Sequence, residues 1–147
     1  MKKFISFLAA FCAAAVLLTL VGCSARTAST AENFQKTAEG LKYTVKVQDS
    51  SQAGVQKELE AEKNGSDIQA TFTVFDTDAD AISGYSTQKE SLPSSGKTVD
   101  SDVYNRYTVT NGEIYYALIR IDNTLLICKA NTSQEKEADA LISALKY

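Results

Sequence analysis

The sequence contains no histidine. Without an imidazole, neither a Ser-His-Asp nor a Cys-His catalytic arrangement can form, and zinc cannot be held by histidine ligands. Pairs of carboxylates, a lysine base, tyrosine and metals with oxygen ligands remain open to the chain. The composition therefore excludes the hydrolases that depend on a histidine base.

Basic residues are too few for a protein that binds nucleic acid. The chain has 15 Lys and Arg against 18 Asp and Glu, a formal net charge of −3. Binding to a phosphate backbone needs a basic patch, and an anionic membrane or cell wall repels a negative domain. We therefore expect no nucleic-acid partner.

The N-terminus has the layout of a secretory signal. Lys2 and Lys3 precede an almost wholly apolar run over residues 4–20, which is the pattern of export signals. The run ends in Leu20-Val21-Gly22-Cys23. This ending resembles the lipobox of bacterial lipoproteins, which reads Leu, a small or branched residue, Gly or Ala, then Cys.

The resemblance covers residues 1–23 and implies a lipid on the Cys23 sulfur and cleavage before that residue. It implies a signal peptide over 1–22, a lipidated Cys23 with a short tether to residue 29, and one domain over 30–147. The expected location is the extracytoplasmic face of the cell membrane. The alternative is an uncleaved membrane helix, since the apolar run is about long enough to span a bilayer.

Cysteine is scarce in the mature chain. Cys12 would leave with the signal and Cys23 would carry lipid, so Cys128 alone remains of the three cysteines and no internal disulfide is expected. A lone cysteine inside an apolar strand is typical of a small core residue. Loss of Lys2 and Lys3 leaves 13 basic and 18 acidic residues, a net charge of −5.

Hydrophobic periodicity predicts three helices and about six strands. The expected helices cover 30–41, the stretch from Thr77 to Pro93, and the stretch from Thr132 to the C-terminus; the expected strands lie at 43–47, 55–63, 68–75, 104–109, 114–121 and 125–128. Residues 55–63 also suit a helix, but their alternation before Asn64-Gly65 favours a hairpin. In the middle helix Lys89 interrupts an apolar stripe.

The order αβββαβββα predicts an α+β domain, an antiparallel sheet of two meanders with helices packed on it. Asp122-Asn123 and Asn111-Gly112 are expected to be tight turns. The Asn111-Gly112 turn, with these two as its central residues, would place Arg120 near Val103.

Acidic residues provide two weak sites. Asp76, Asp78 and Asp80 resemble the opening of a calcium loop, but Ala81 and Thr87 stand where that loop needs Gly and Glu. Acids that complement a helix dipole explain the pattern better, so we expect no metal or other cofactor. Three alternate acids of one strand offer paired carboxylates for a hydrolase, or simply a solvated sheet edge: Glu58, Glu60 and Glu62.

Candidate binding residues gather on the second meander. Tyr107, Tyr115 and Tyr116 could present rings and hydroxyls to a partner, or could pack across strands. Tyr115 and Tyr116 must face opposite sides of the sheet. Arg120, amid apolar residues, marks a pocket or a buried acid unless its side chain reaches solvent.

The sequence predicts a binding or accessory module, not an enzyme. Its expected partners are the membrane, through the lipid on Cys23, and a protein or small ligand. The alternatives are a small carboxylate-dependent hydrolase and a structural envelope protein without a ligand.

Overall fold

The computed structural model describes residues 26–49 and 52–147. Cys23 and the signal peptide expected over 1–22 lie outside the described residues. The described elements, in chain order, are α1 (Ala31–Gly40), β1 (Tyr43–Gln48), β2 (Val55–Lys63), β3 (Gln69–Phe75), α2 (Asp78–Glu90), β4 (Lys97–Asp100), β5 (Tyr104–Asn111), β6 (Ile114–Ile121), β7 (Thr124–Asn131), a 3-10 turn (Thr132–Gln134) and α3 (Glu135–Ala144).

The strands form one antiparallel sheet in the order β1-β2-β3-β7-β6-β5-β4. Two meanders, β1–β3 and β4–β7, join where β3 pairs with β7. The predicted α+β class, with three helices on an antiparallel sheet, is confirmed. Among the described residues the sheet has seven strands, because β4 adds a fourth strand to the second meander.

The sheet is covered on both faces, so the domain has three layers. Helices α1 and α3 pack on one face, where Phe34 stacks on Phe72 with ring centroids 4.9 Å apart. Helix α2 packs on the other face, where Tyr85 and Leu118 belong to a second core. Central strand β6 serves both cores, which explains why its sequence is apolar on both sides.

Local hydrogen bonds fix where the helices begin. Thr77 caps α2 as predicted: its Oγ1 accepts from Asp80 N at 3.1 Å. The cap of α1 is Thr30 instead of Ser29, since Thr30 Oγ1 accepts from Asn33 N. The stretch expected to open the last helix forms the 3-10 turn instead, capped by Asn131.

Cys128 is fully buried beneath α1 and α3, which is the core position that its apolar strand predicts. Burial raises the pKa of its thiol to about 12, so this group stays protonated and unreactive at neutral pH. None of the helices in 26–49 and 52–147 has the length and apolar character to cross a membrane.

Candidate functional site

A cavity of about 680 Å³ lies between α2 and the strands β4 and β5. We call it the α2 cavity. Its walls include Tyr85 and Lys89 from α2, Asp100 from β4, and Asn105 and Tyr107 from β5. The volume falls within the range of about 300–1,000 Å³ that small-molecule sites occupy.

The cavity exists because β4 provides no apolar surface to α2. All four residues of β4 are exposed, and Thr98 and Asp100 line the space with polar groups. Towards the centre of the sheet, by contrast, α2 packs on Leu118 and Leu125. The helix therefore closes against the middle of the sheet and leaves a gap at its edge.

Tyr107 forms a fixed part of the wall. The side chain is 2% exposed, its hydroxyl donates to the carbonyl of Pro93 and accepts from Gly96 N at 3.0 Å. A Cβ at position 96 would collide with the Tyr107 ring. The loop after α2 is thus wrapped around this ring, and only glycine allows so close an approach.

The ammonium group of Lys89 lies over two aromatic rings of the cavity wall. Its Nζ lies 5.3 Å from the ring centroid of Tyr107 and 5.8 Å from that of Tyr85. The same atom is 3.8 Å from Asp100 Oδ2. The charge that interrupts the apolar stripe of α2 in the sequence therefore belongs to the cavity.

The Tyr85 hydroxyl is buried in the same place and has no hydrogen-bond partner within the described part of the chain. Burial, and then the nearby negative charge of Asp100, raise the pKa of this hydroxyl to about 12. A buried hydroxyl without a partner is uncommon in folded proteins. This unpaired oxygen lies within the wall of the cavity and has almost no accessible surface of its own.

Arg120 lies behind this wall and is 1% exposed. Its Nε donates to Asn105 Oδ1 at 2.5 Å, and its Nη1 and Nη2 donate to the carbonyls of Asp122 and Asp102 at 2.9 and 2.8 Å. The expectation of a side chain reaching solvent is therefore wrong. In the described ranges of the chain, Arg120 has no buried acid as its partner; its acceptors are the Asn105 amide oxygen and two backbone carbonyls.

Asn105 connects this buried cation to the cavity. Its amide oxygen accepts from Arg120, so its Nδ2 is directed outward and donates to Asp100 Oδ1 at 3.0 Å. The predicted register was wrong by two residues, because Arg120 faces Asn105 and not Val103. Arg120 thus positions Asp100 indirectly, through a neutral side chain.

The predicted tyrosines do not form one site. Tyr107 lines the α2 cavity, whereas Tyr116 lines a separate space of about 330 Å³. Tyr115 lies on the opposite face of the sheet, as alternation requires, and its hydroxyl donates to Asp139 Oδ1 at 3.0 Å. Burial raises the pKa of Tyr115.

The acidic candidates take structural roles. Thr77 Oγ1 donates to Asp80 Oδ2 at 2.7 Å at the start of α2. Across 26–49 and 52–147, no group of three His, Cys, Asp or Glu side chains could hold a metal ion, so Asp76 and Asp78 give no evidence of a metal site. The strand acids Glu58, Glu60 and Glu62 accept from Thr73, Gln48 and Lys46 respectively.

No family model matches the sequence, and no curated protein matches it. Among solved structures, the fold is similar to a GTP binding regulator from Thermotoga maritima, with a TM-score of 0.53. The match has 14% sequence identity and covers 80% of this chain and 87% of that chain. At this identity the similarity shows the fold alone.

Proposed function

We propose that this protein is a membrane-anchored bacterial lipoprotein whose domain binds a small ligand in the α2 cavity, as a binding or accessory module. The observation that carries the binding role is the cavity itself, where the Lys89–Asp100 pair and the residues Tyr85 and Tyr107 line a space of about 680 Å³. The anchor rests on Leu20-Val21-Gly22-Cys23 and their resemblance to a lipobox.

The N-terminal segment supports a short attachment. The Arg26 guanidinium lies 4.0 Å from the ring centroid of Tyr104, a cation–π contact that holds this segment against the start of β5. Cys23 is three residues earlier, and three extended residues span at most about 11 Å. A lipid on Cys23 would therefore keep the first residues of β5 close to the bilayer, with the α2 cavity near that end of the sheet.

Mass spectrometry of the native protein tests the anchor. The chain is extracted from membranes in mild detergent, and its N-terminal peptide is expected to begin at a diacylated Cys23. The Cys23→Ser variant should lack the lipid and fail to be cleaved after Gly22. A peptide that carries no fatty acid, or that still begins at Met1, would contradict the lipoprotein assignment.

Ligand binding is tested by NMR titration of the full chain in non-ionic micelles, with the Gly96 amide as reporter because it donates to Tyr107. Small probes that enter the cavity should shift this resonance. Ser86→Trp places an indole in the cavity and should abolish the shift. Thr87→Trp is the matched control, since this exposed neighbour lines a different cavity. A response that survives Ser86→Trp would place binding elsewhere.

The probes include GTP, since the Thermotoga maritima protein of similar fold is described as a GTP binding regulator. The alternative of a carboxylate-dependent hydrolase stays a prediction. The three acids it would use, Glu58, Glu60 and Glu62, accept hydrogen bonds from Thr73, Gln48 and Lys46. We expect titration without turnover of any probe.

A further inference from the structure

We infer that the α2 cavity binds the cationic group of its ligand, an alkylammonium, at the position that the Lys89 ammonium occupies. This inference rests on the proposed function, because it names the chemical class of a ligand for the same cavity. The protein supplies its own example: Lys89 Nζ lies within 6 Å of the centroids of two tyrosine rings and 3.8 Å from Asp100 Oδ2.

The surroundings of that position favour positive charge. The faces of Tyr85 and Tyr107 carry the negative part of the aromatic quadrupole, which attracts a cation placed above them. Asp100 adds a full negative charge.

The carboxylate in this arrangement is held in place from behind. Arg120 donates to Asn105, and Asn105 donates to Asp100 Oδ1 at 3.0 Å. A neutral amide therefore stands between the buried cation and Asp100, and the group that faces the ligand is an acid. An anion that took the place of the Lys89 ammonium would instead lie against this carboxylate and the two ring faces, which repel it.

Lys89 is an occupant that a ligand can replace. Its side chain is 33% exposed and its acid partner is 53% exposed, and ion pairs of such exposure are weak because solvent screens them. The four-carbon stem of lysine can turn the ammonium out to water. Ser86, Ser94 and Thr98 line other parts of the space, and these polar residues suit a polar body attached to the cation.

Two variants with opposite expected signs test the charge of the ligand. Choline chloride is titrated into the full chain in non-ionic micelles, and the Gly96 and Asn105 amide shifts give the dissociation constant. Asp100→Asn should weaken choline binding about tenfold, because it removes the anionic wall. Lys89→Met should tighten it severalfold, because the stem stays while the competing ammonium goes. Lys97→Met, a charge removal on β4 beside a different cavity, should leave it unchanged.

The neutral isostere 3,3-dimethyl-1-butanol and the anions acetate and GTP complete the test. The isostere should bind at least about tenfold more weakly than choline, since it has the same shape without the charge. If an anion binds, and Lys89→Met abolishes that binding while choline has no effect, the inference is overturned and the proposed binding role stands. If no probe of either charge shifts the cavity resonances, both are overturned.

Discussion

The end of the Phe75 ring lies so close to Gly84 that a Cβ at position 84 would stand 2.8 Å from Phe75 Cζ. Gly84 sits inside α2, where alanine would ordinarily stabilise a helix by about 1 kcal/mol. We expect the reverse here. Gly84→Ala should lower the free energy of unfolding by about 1–3 kcal/mol, because the buried ring or the helix has to move. Chemical denaturation of the full chain measures the change.

Gly40→Ala is the matched control for this prediction. Gly40 ends α1, and a Cβ added there would have no atom within 4 Å. The substitution should therefore stabilise the chain by up to about 1 kcal/mol. The double variant Gly84→Ala with Phe75→Leu should recover part of the loss, since the smaller side chain vacates the contested space. Equal effects at positions 84 and 40 would refute the role given to Phe75.

Arg120 is expected to stabilise the domain although it is charged and buried. Arg120→Ala removes the donors to Asn105 and to the carbonyls of Asp122 and Asp102. Unpaired acceptors and the space left by the side chain should together cost about 3 kcal/mol of unfolding free energy. Denaturation midpoints and the thermal transition of the full chain would report this loss.

Arg106→Ala provides the comparison for Arg120. Arg106 lies on the opposite face of the sheet, with its side chain 29% exposed and 3.7 Å from Asp139. A pair of this exposure contributes about 0–1 kcal/mol. The two arginines should therefore differ by about 2 kcal/mol or more, and a similar loss at both sites would mean that the Arg120 hydrogen bonds contribute little.

Two buried tyrosine hydroxyls should respond differently to removal. The Tyr43 hydroxyl is buried and has no partner within the described residues, so Tyr43→Phe should leave stability within about 0.5 kcal/mol of the parent. Tyr107→Phe loses hydrogen bonds with Pro93 and Gly96 and should cost about 1–2 kcal/mol. Parallel urea titrations would decide, and a larger loss at Tyr43 would contradict the hydrogen-bond pattern.

The sequence predicts those parts of the fold in which buried and exposed residues alternate with a regular period. The alternation of β2 and its turn residues predicted a strand, and the structure forms one over Val55–Lys63. The sequence did not predict β4 as a separate strand, because each of its four residues is exposed. A strand without a buried face has no hydrophobic period to detect.

The register of β5 and β6 depended on one turn. Asn111-Gly112 as central residues of a type I′ turn would require positive φ at both. In the structure Asn111 pairs with Ile114, and Gly112 takes the first central position with φ of 62°. That placement is typical of a type II′ turn, and it moves every pair by two residues, bringing Asn105 opposite Arg120.

The α2 cavity was less accessible than the fold. Lys89 and Tyr85 come from α2, while Asp100 comes from the strand that leaves no pattern. Of the cavity residues, the sequence named Tyr107 as a candidate and noted Lys89 only as a charge within an apolar stripe. Hydrophobic patterns record which residues are buried, but a gap between a helix and an edge strand depends on tertiary packing.

Stability should fall in alkaline solution because several buried groups resist ionisation. Burial raises the pKa of Tyr43 from 10.0 to about 12 and that of Tyr85 likewise. The pKa of Cys128 rises from 9.0 to about 12 for the same reason. Each group is neutral when protonated, and burial disfavours its charged form. The folded chain therefore keeps these protons to higher pH than the unfolded chain does. The folded state then binds more protons, and the free energy of unfolding decreases as pH rises from about 9 to about 12.

Urea denaturation at pH 8, 9, 10 and 11 measures this decrease, with the full chain in the same micelles throughout. Tyr43→Phe removes one of the titrating groups, so it should reduce the proton difference between folded and unfolded states by up to one proton above about pH 10. Below about pH 8 the variant and the parent should have parallel profiles. If the parent keeps constant stability to pH 11, or if Tyr43→Phe steepens the decline, the buried phenol does not set the alkaline limit of this domain.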